Sequence, residues 1–304
     1  MQRYLVIRLL QAAATLFFVS MLIFCLARLT GDPLDVMLPM EASEEDYARA
    51  RKHLGLDKPL PVQYGIYVAQ AVTGDLGTSI RAKIPVSQLI MERLPNSLRL
   101  AGFSISVALS LALVLGVAAA VKKGSIVDTI SRILAVSGMS IPIFWLAIMA
   151  ILLFSVKLRL LPSSRAGGIE HYILPAFVLG WSFSAPMMRL LRSSMLEVLD
   201  SEYVKLAQIK GVSKWWVIWG HALRNALIPL ITFAGFYLGL LVGGVVVTET
   251  VFAWPGLGLL AYEAVVWRDY PVIQGVVLFI TTAVLTINLS VDVLYAYLDP
   301  RIRY

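Results

Sequence analysis

The amino-acid sequence predicts an all-α membrane protein with six transmembrane helices. The chain has 304 residues, of which 59% are hydrophobic and 15% charged, and its mean hydropathy of +0.79 lies outside the usual range of soluble domains. Six runs of about 16 to 24 residues contain no Asp, Glu, Lys or Arg, and a helix needs about 20 apolar residues to cross a bilayer. These runs do not alternate apolar and polar residues, as the strands of a membrane barrel do.

The six charge-free runs define the predicted spans. The fourth run is short, and we expect it to extend to Leu191 with the Arg189 side chain reaching the membrane interface. Most basic residues near the span ends fall on the same side as the N-terminus, so both termini are expected in the cytoplasm. The runs are residues 9–27, 100–121, 133–156, 173–188, 226–248 and 272–291.

The first span begins like a secretion signal, because Arg3 and Arg8 precede an apolar run. The run is longer than the 7 to 15 apolar residues typical of a signal, and the small residues 12–14 lie inside it rather than after it. We therefore expect a retained first helix. The single cysteine, Cys25, lies in this helix, so no disulfide forms within the chain, and we expect it to serve as a small packing residue.

Residues 30–99 form the first outer segment, which is too long for a simple turn. The sequence predicts a short helix from Ser43, its N-cap, to Leu54, with acidic residues in the first turn and Gly55 as its stop. Apolar and aromatic residues at positions 62–68 are expected along the membrane interface. The segment is interpreted as a small folded cap, with a structural role and a docking role both left open.

The last outer loop, residues 248–275, is apolar and rich in helix breakers. It is too interrupted for a crossing, and we expect a re-entrant or interfacial hairpin. Such a hairpin is tolerated at membrane depth only where other parts of the protein bury it. Two interpretations stay open, namely part of an outer gate and simple packing.

Several chemistries are absent from the sequence. It contains no GxxxxGK[ST] phosphate loop, no HExxH and no GxSxG, and its three histidines are far apart, so no catalytic or metal site is predicted. The net charge of +7 fits anionic lipid headgroups, and no nucleic-acid recognition module accompanies it. Only Asp292 approaches a span, near its inner end, where we expect it to fix the helix end. A transport pathway that has no charged side chains within the membrane takes the free energy for transport from another source.

The inner loop, residues 193–226, is the segment to which such free energy would be delivered. Ser201 is expected to cap a helix in which Tyr203, Ala207 and Lys210 share one face, and Gly211 to end it in a left-handed turn. Ser213 then starts a second helix whose tryptophans, at positions 215, 216 and 219, are interfacial anchors. The alternative interpretation is an amphipathic helix that lies on the lipid surface.

These residues resemble a known family. The pattern Tyr203-Val204-x-x-Ala207-x-x-Lys210-Gly211, followed by His221-Ala222-Leu223-Arg224-Asn225-Ala226-Leu227-x-Pro229, is similar to the cytoplasmic loop of bacterial ABC-importer permeases. The resemblance is to the first permease subunit of the dipeptide/oligopeptide/nickel branch. Further matches run almost from end to end: Gly31-Asp32-Pro33, Leu54-Gly55-Leu56-Asp57-Lys58-Pro59, Gly74-Asp75-Leu76-Gly77, Thr248-Glu249-Thr250-Val251-Phe252, Trp254-Pro255-Gly256-Leu257-Gly258, Arg268-Asp269-Tyr270-Pro271 and Asp299-Pro300-Arg301-Ile302-Arg303.

The resemblance implies a type I ABC-importer permease fold in a bacterial inner membrane. It divides the chain into a first transmembrane helix (1–29), a periplasmic cap (30–99) and a five-helix permease core (100–304) that contains the coupling loop 193–226. It also implies that Tyr203, Ala207, Lys210 and Gly211 couple the permease to an ATPase subunit. Counted from Gly211, the wider importer pattern departs at Lys205 and His221, so contacts at these two positions stay open.

The resemblance further implies a permease that is not an enzyme and holds no cofactor. ATP and Mg²⁺ are bound by two separate ATP-binding subunits, a second homologous permease completes the pathway as a heterodimer, and a periplasmic or lipid-anchored solute-binding protein delivers the cargo. Membrane lipid is the remaining partner, and no nucleic acid is expected. Four glycines in the fifth predicted span allow another helix to approach closely, and that helix belongs either to the second permease or to this chain. The glycines concerned are Gly235, Gly239, Gly243 and Gly244.

Di- and oligopeptides are the expected cargo. Nickel chelates, glutathione, opines and glycans are carried by close look-alikes, and no residue cluster selects among them. The alternative from a different class is an ion-coupled secondary carrier, which would transport its solute along a proton or sodium gradient without any ATPase subunit.

Overall fold

Helices make up nearly all of the fold in a computed structural model that describes residues 2–29, 34, 43–53, 56–242 and 245–298. We number the helices in chain order. They are α1 (Gln2–Leu29), α2 (Glu44–His53), α3 (Leu60–Val72), α4 (Val86–Val121), α5 (Ile126–Ser140), α6 (Ile143–Lys157), α7 (Glu170–Leu199), α8 (Glu202–Ile209), α9 (Trp216–Val242), α10 (Val246–Val251), α11 (Leu257–Val266) and α12 (Tyr270–Leu298).

Five of these helices are long and apolar enough to cross a membrane, namely α1, α4, α7, α9 and α12. The predicted third span is not one straight helix. It is divided into α5 and α6, which are bent by 103° relative to each other, and the count reaches six if this bent pair forms one span. Pro142 causes the break, because its ring lacks an N–H and keeps Ile141 in an extended conformation, with φ −79° and ψ 122°.

Helix α7 is the centre of the bundle and packs along α4. Its closest contacts occur at glycines: a Cβ on Gly180 would lie 2.6 Å from the Cβ of Val107, and a Cβ on Gly116 of α4 would lie 3.2 Å from the Leu191 side chain. Met187 and Met195 are fully buried beside this contact. The predicted fourth span is therefore longer than its charge-free run, since α7 continues past Leu191 to Leu199.

The cap on the outer side contains the predicted short helix. Helix α2 begins after Ser43, whose hydroxyl oxygen accepts from the N–H of Asp46 at 3.3 Å; the predicted end at Leu54 and Gly55 lies outside the described residues. Helix α3 then packs on α1, where the Tyr64 ring meets Phe24 with centroids 5.5 Å apart. Helix α4 begins at Val86, before the charge-free run that starts at residue 100.

An ion pair connects the first and last of the described helices. The Arg8 guanidinium lies 3.2 Å from the Asp292 carboxylate, and both side chains are partly exposed. The sequence indicated that Asp292 fixes the end of its helix, but α12 continues to Leu298, and Asp292 instead connects the last part of α12 to α1.

Candidate functional site

The inner loop between α7 and α9 has the predicted order of helix, glycine turn and helix. Helix α8 follows α7 after only Asp200 and Ser201. Ser201 occupies the N-cap position, but the prediction of a side-chain cap was wrong, because its hydroxyl donates to the carbonyl of Val198 instead. The N–H of Lys205 donates to the Ser201 carbonyl at 3.1 Å and closes the first turn of α8.

Helix α8 points one side chain into the protein and several away from it. Val204 is completely buried, whereas Tyr203, Leu206 and Ile209 are 45%, 51% and 82% exposed. Of the predicted coupling residues, Tyr203 and Lys210 are exposed, and Ala207 is half-buried. A short helix that is held by one buried valine and presents three apolar side chains outward has a surface suited to another protein.

Gly211 ends α8 in the predicted left-handed turn, with φ +81°. Its N–H donates to the carbonyl of Gln208 at 3.0 Å, and the N–H of Val212 donates to the carbonyl of Ala207 at 3.1 Å. A Cβ at Gly211 would meet nothing within 4 Å, so the backbone angle alone requires glycine here. Lys210 precedes this turn as the last residue of the predicted coupling face.

The second helix of the loop starts as predicted. The N–H of Trp216 donates to the hydroxyl oxygen of Ser213 at 3.4 Å, and a π-helical turn from Trp216 to Ala222 leads into the fifth span. The three tryptophans at positions 215, 216 and 219 are all exposed, as interfacial anchors would be.

One hydrogen bond connects α8 directly to the fifth span. The Asn225 side-chain amide donates to the Tyr203 hydroxyl at 2.7 Å and to the carbonyl of His221 at 3.1 Å. Lys205 instead pairs with Glu202 at 3.2 Å, where both side chains are at least half exposed and the pair contributes little. Tyr203 is therefore held in place, whereas Lys205 is not.

Changing Tyr203 to Phe removes this hydroxyl and keeps the ring. If α8 couples the protein to an ATPase subunit, as the resemblance implies, we expect ATP-driven uptake to fall by about two- to fivefold, since one exposed hydrogen bond contributes about 0.5–1 kcal/mol. The measurement is initial uptake in proteoliposomes. Tyr262→Phe, which alters an exposed tyrosine outside this loop, is the matched control and should leave uptake unchanged. Equal uptake by both variants would show that the hydrogen bond has no role in coupling.

The structure also brings together an ion pair that the sequence did not indicate. Arg192 of α7 donates to both carboxylate oxygens of Asp128, at 2.8 and 2.9 Å, and Asp128 is 2% exposed. The sequence singled out neither Arg192 nor Asp128 as a site residue. Their separation of 64 positions leaves no local sequence signal for the pair.

The outer hairpin is closed by a second buried carboxyl group. Glu249 is 2% exposed, accepts from the Ser97 hydroxyl at 2.8 Å and accepts from the N–H of Leu259 at 3.0 Å. Burial raises the pKa of Glu249 above its usual value, and these hydrogen bonds act in the opposite direction. Trp254 is fully buried and donates its indole N–H to the carbonyl of Asn96 at 3.2 Å. The part of the hairpin around Trp254 is thus buried by protein, whereas Tyr262, Val265 and Trp267 farther along the chain are exposed.

A third buried carboxylate, Asp269, fixes the cap against the start of α12. It accepts from the Ser79 hydroxyl at 2.6 Å and from the N–H groups of Ile80 and Arg81 at 3.1 and 3.2 Å. Arg81 in turn lies over the Trp267 ring, 3.9 Å from its centroid. Within the described parts of the chain, no three His, Cys, Asp or Glu residues are close enough to hold a metal ion.

Two of the four predicted interface glycines face another helix of this chain. A Cβ on Gly235 would lie 2.5 Å from the Val291 side chain, and one on Gly239 would lie 3.3 Å from the Asn288 side chain, both on α12. This contact corresponds to the alternative of packing within the chain. Gly243 and Gly244 lie outside the described residues.

Comparison with protein families matches almost the whole chain. Residues 112–304 match the model described as "Binding-protein-dependent transport system inner membrane component". Residues 1–101 match the N-terminal membrane component of the same transport systems. The two models together leave only the middle of α4 unmatched.

Individual relatives and solved structures agree with the family models. The chain is 43% identical over 305 residues to the glutathione transport system permease protein GsiC of Escherichia coli (strain K12) and of Salmonella typhi, with 100% of both chains covered. Among structures, the MetNI methionine ABC transporter in an inward-facing conformation has a TM-score of 0.59 at 20% identity and covers 70% of this chain and 97% of its own. An amino acid ABC transporter crystallised with histidines has a TM-score of 0.51 at 12% identity, with 71% and 95% covered.

Proposed function

We propose, from the premise that this chain belongs to the family of binding-protein-dependent transport system inner membrane components, that α8 is the helix through which an ATPase subunit moves the permease. The chain is a multi-pass inner-membrane permease subunit of an ABC importer and is not an enzyme. In this family ATP and Mg²⁺ are used by partner ATPase subunits, and the importer works with another permease and a binding protein.

The observation that carries the proposal is the outward face of α8. Tyr203, Leu206 and Ile209 are exposed on a short helix outside the spans, where they form an apolar surface that another protein can cover. The helix is fixed at both ends, by the two-residue connection to α7 and by the Gly211 turn. A rigid connection of this kind transmits a displacement, whereas a helix resting on lipid needs no such attachment.

Small peptides, including glutathione, are the cargo that we propose. The support is the full-length similarity to permeases named for the transport of glutathione, which is a tripeptide. The resemblance to the peptide branch points to the same class of cargo. Nickel chelates, opines and glycans remain the competing cargoes of the same type of importer. The buried carboxylates Asp128, Glu249 and Asp269 are occupied by hydrogen bonds within the protein, which does not favour an ion-coupled carrier.

The proposed assembly contains a second, homologous permease, two ATP-binding subunits and a periplasmic or lipid-anchored binding protein. The binding protein would contact the outer cap and hairpin. Contact of the second permease with Gly243 and Gly244 stays a proposal, whereas α12 of this chain already covers Gly235 and Gly239.

Reconstitution of the four kinds of subunit in proteoliposomes tests the function. We expect uptake of glutathione or a dipeptide only when ATP is inside the vesicles and the binding protein is outside. Uptake driven by a proton or sodium gradient with this chain alone would contradict the proposal. Uptake of a nickel chelate, opine or glycan with no uptake of any peptide would overturn the cargo and leave the ATPase coupling intact.

A further inference from the structure

Two charge-assisted hydrogen bonds join Asp128 of α5 to Arg192 of α7. The Nε and Nη2 atoms of Arg192 donate to the two carboxylate oxygens at 2.8 and 2.9 Å, and the side chains are 2% and 24% exposed. Two parallel charge-assisted hydrogen bonds fix both the distance and the relative orientation of the groups that they join. The pair therefore fixes α5 relative to α7 at the inner end of the bundle.

Asp128 is itself held in place before it meets Arg192. It lies in the first turn of α5, where the helix dipole favours a negative charge, and Ser125 is the N-cap. Its carboxylate also accepts from the N–H of Gly124 at 3.0 Å, and Gly124 has the left-handed φ of +76°. The turn at Gly124 thus orients the Asp128 carboxylate before Arg192 binds to it.

The other buried side chains of α5 are small. Ser131, Ala135 and Gly138 are buried on the same face of α5 as Asp128, and a Cβ on Gly138 would lie 2.8 Å from the Cβ of Ala185. Small residues bring the backbones of two helices close together, and they carry no charged or directional side-chain contact. The ion pair adds a directional fixed point to this close packing.

The position of Arg192 gives this fixed point a function. Helix α7 runs without a break from Arg192 to Leu199, and only Asp200 and Ser201 separate it from α8. We propose that Asp128 and Arg192 are positioning residues that make α5 and α7 move as one body when α8 is displaced, and so couple ATP hydrolysis to uptake. This inference rests on the coupling role proposed for α8.

The test uses the complete importer in proteoliposomes and measures glutathione uptake per ATP hydrolysed. We expect Arg192→Met to lower this ratio by about tenfold, within the range of typical coupling free energies between two sites. The matched control is Arg132→Met. Arg132 lies 3.7 Å from the same carboxylate, but its side chain is 59% exposed, and its removal should leave the ratio unchanged.

A double variant separates positioning from a general loss of stability. Removing Arg192 leaves Asp128 buried without its partner, which is strongly destabilising, whereas Asp128→Asn/Arg192→Met leaves no buried charge. We expect the double variant to assemble like the wild type and to keep the low uptake-to-hydrolysis ratio. If it regains the wild-type ratio together with assembly, the pair has only a structural role and the proposal is wrong.

A spin-label distance between α5 and α7 gives a readout that needs no cargo. Labels at Ile130→Cys and Glu197→Cys, both exposed, in a Cys25→Ser background should give one narrow distance that is unchanged by ATP. The same labels in the double variant should give a broader distribution that shifts with ATP. An equally narrow distance in the double variant would overturn the proposal. Failure of the coupling role itself is recognised separately, because Gly211→Pro would then transport normally.

Discussion

Changing Gly211 to Pro is expected to abolish ATP-driven uptake while the importer still assembles. Proline fixes φ near −65°, whereas Gly211 has φ +81°, and proline also lacks the N–H that donates to Gln208 at 3.0 Å. A penalty of about 3 kcal/mol or more corresponds to a roughly hundredfold smaller population with α8 correctly placed. The measurement is uptake per ATP hydrolysed, with co-purification of the ATPase subunits as the check on assembly.

Two milder variants at Gly211 show whether backbone conformation is the cause. Asparagine tolerates the left-handed region and alanine does so at a cost of about 1–2 kcal/mol, while neither side chain would meet a neighbour within 4 Å at its Cβ. We expect Gly211→Asn to retain most uptake and Gly211→Ala to be intermediate. The same uptake in all three variants would contradict a coupling role for the turn.

Changing Glu249 to Ala is expected to destabilise the outer hairpin. The change leaves the Ser97 hydroxyl and the Leu259 N–H buried without an acceptor, and each such group costs about 1–3 kcal/mol. We expect the midpoint of thermal unfolding of the purified permease in detergent to fall by roughly 5–10 °C. Glu92→Ala, which alters an exposed glutamate on α4, is the matched control and should leave the midpoint unchanged.

Glu249→Gln separates the hydrogen bonds from the charge. The amide oxygen of glutamine still accepts a hydrogen bond. At acidic pH, we therefore expect a smaller loss of stability for this variant than for the alanine variant. Burial raises the pKa of Glu249 in the folded protein, so its contribution is full below the ordinary value of 4.5 and is lost as pH rises. The glutamine variant should therefore gain stability relative to the wild type as pH rises above 4.5. A difference that does not depend on pH would show that this group stays neutral or charged throughout.

The spans were predictable because the bilayer imposes a requirement that every span must meet by itself. A helix in lipid satisfies its backbone groups internally and needs apolar side chains along its whole crossing, so a charge-free run identifies it. The ends of the spans were less predictable, because charges near helix ends reach water or pair with each other. Arg192 lies within α7 for this reason, since Asp128 pairs with it.

The interruption of the third span and the buried carboxylates could not be found by the same reasoning. Pro142 was visible in the sequence, but a proline inside an apolar run is compatible with a kink as well as with the 103° bend that forms. Glu249 and Ser97 are 152 positions apart, and Ser79 and Asp269 are 190 apart. Such pairs depend on the tertiary fold. The α8 helix and the Gly211 turn were predictable because such turns depend on local sequence, although the side-chain cap expected from Ser201 does not form.

The contact between α1 and α12, which includes the ion pair between Arg8 and Asp292, forms late during synthesis. The two residues are 284 positions apart, and only 11% of the apolar stretch of α1 is buried by the rest of the described protein. Since chains are inserted from the N-terminus, α1 lacks its main partner among the described helices until α12 has left the ribosome. In a chain truncated before α12, the apolar side chains of α1 would stay accessible to other membrane proteins and to quality-control proteases.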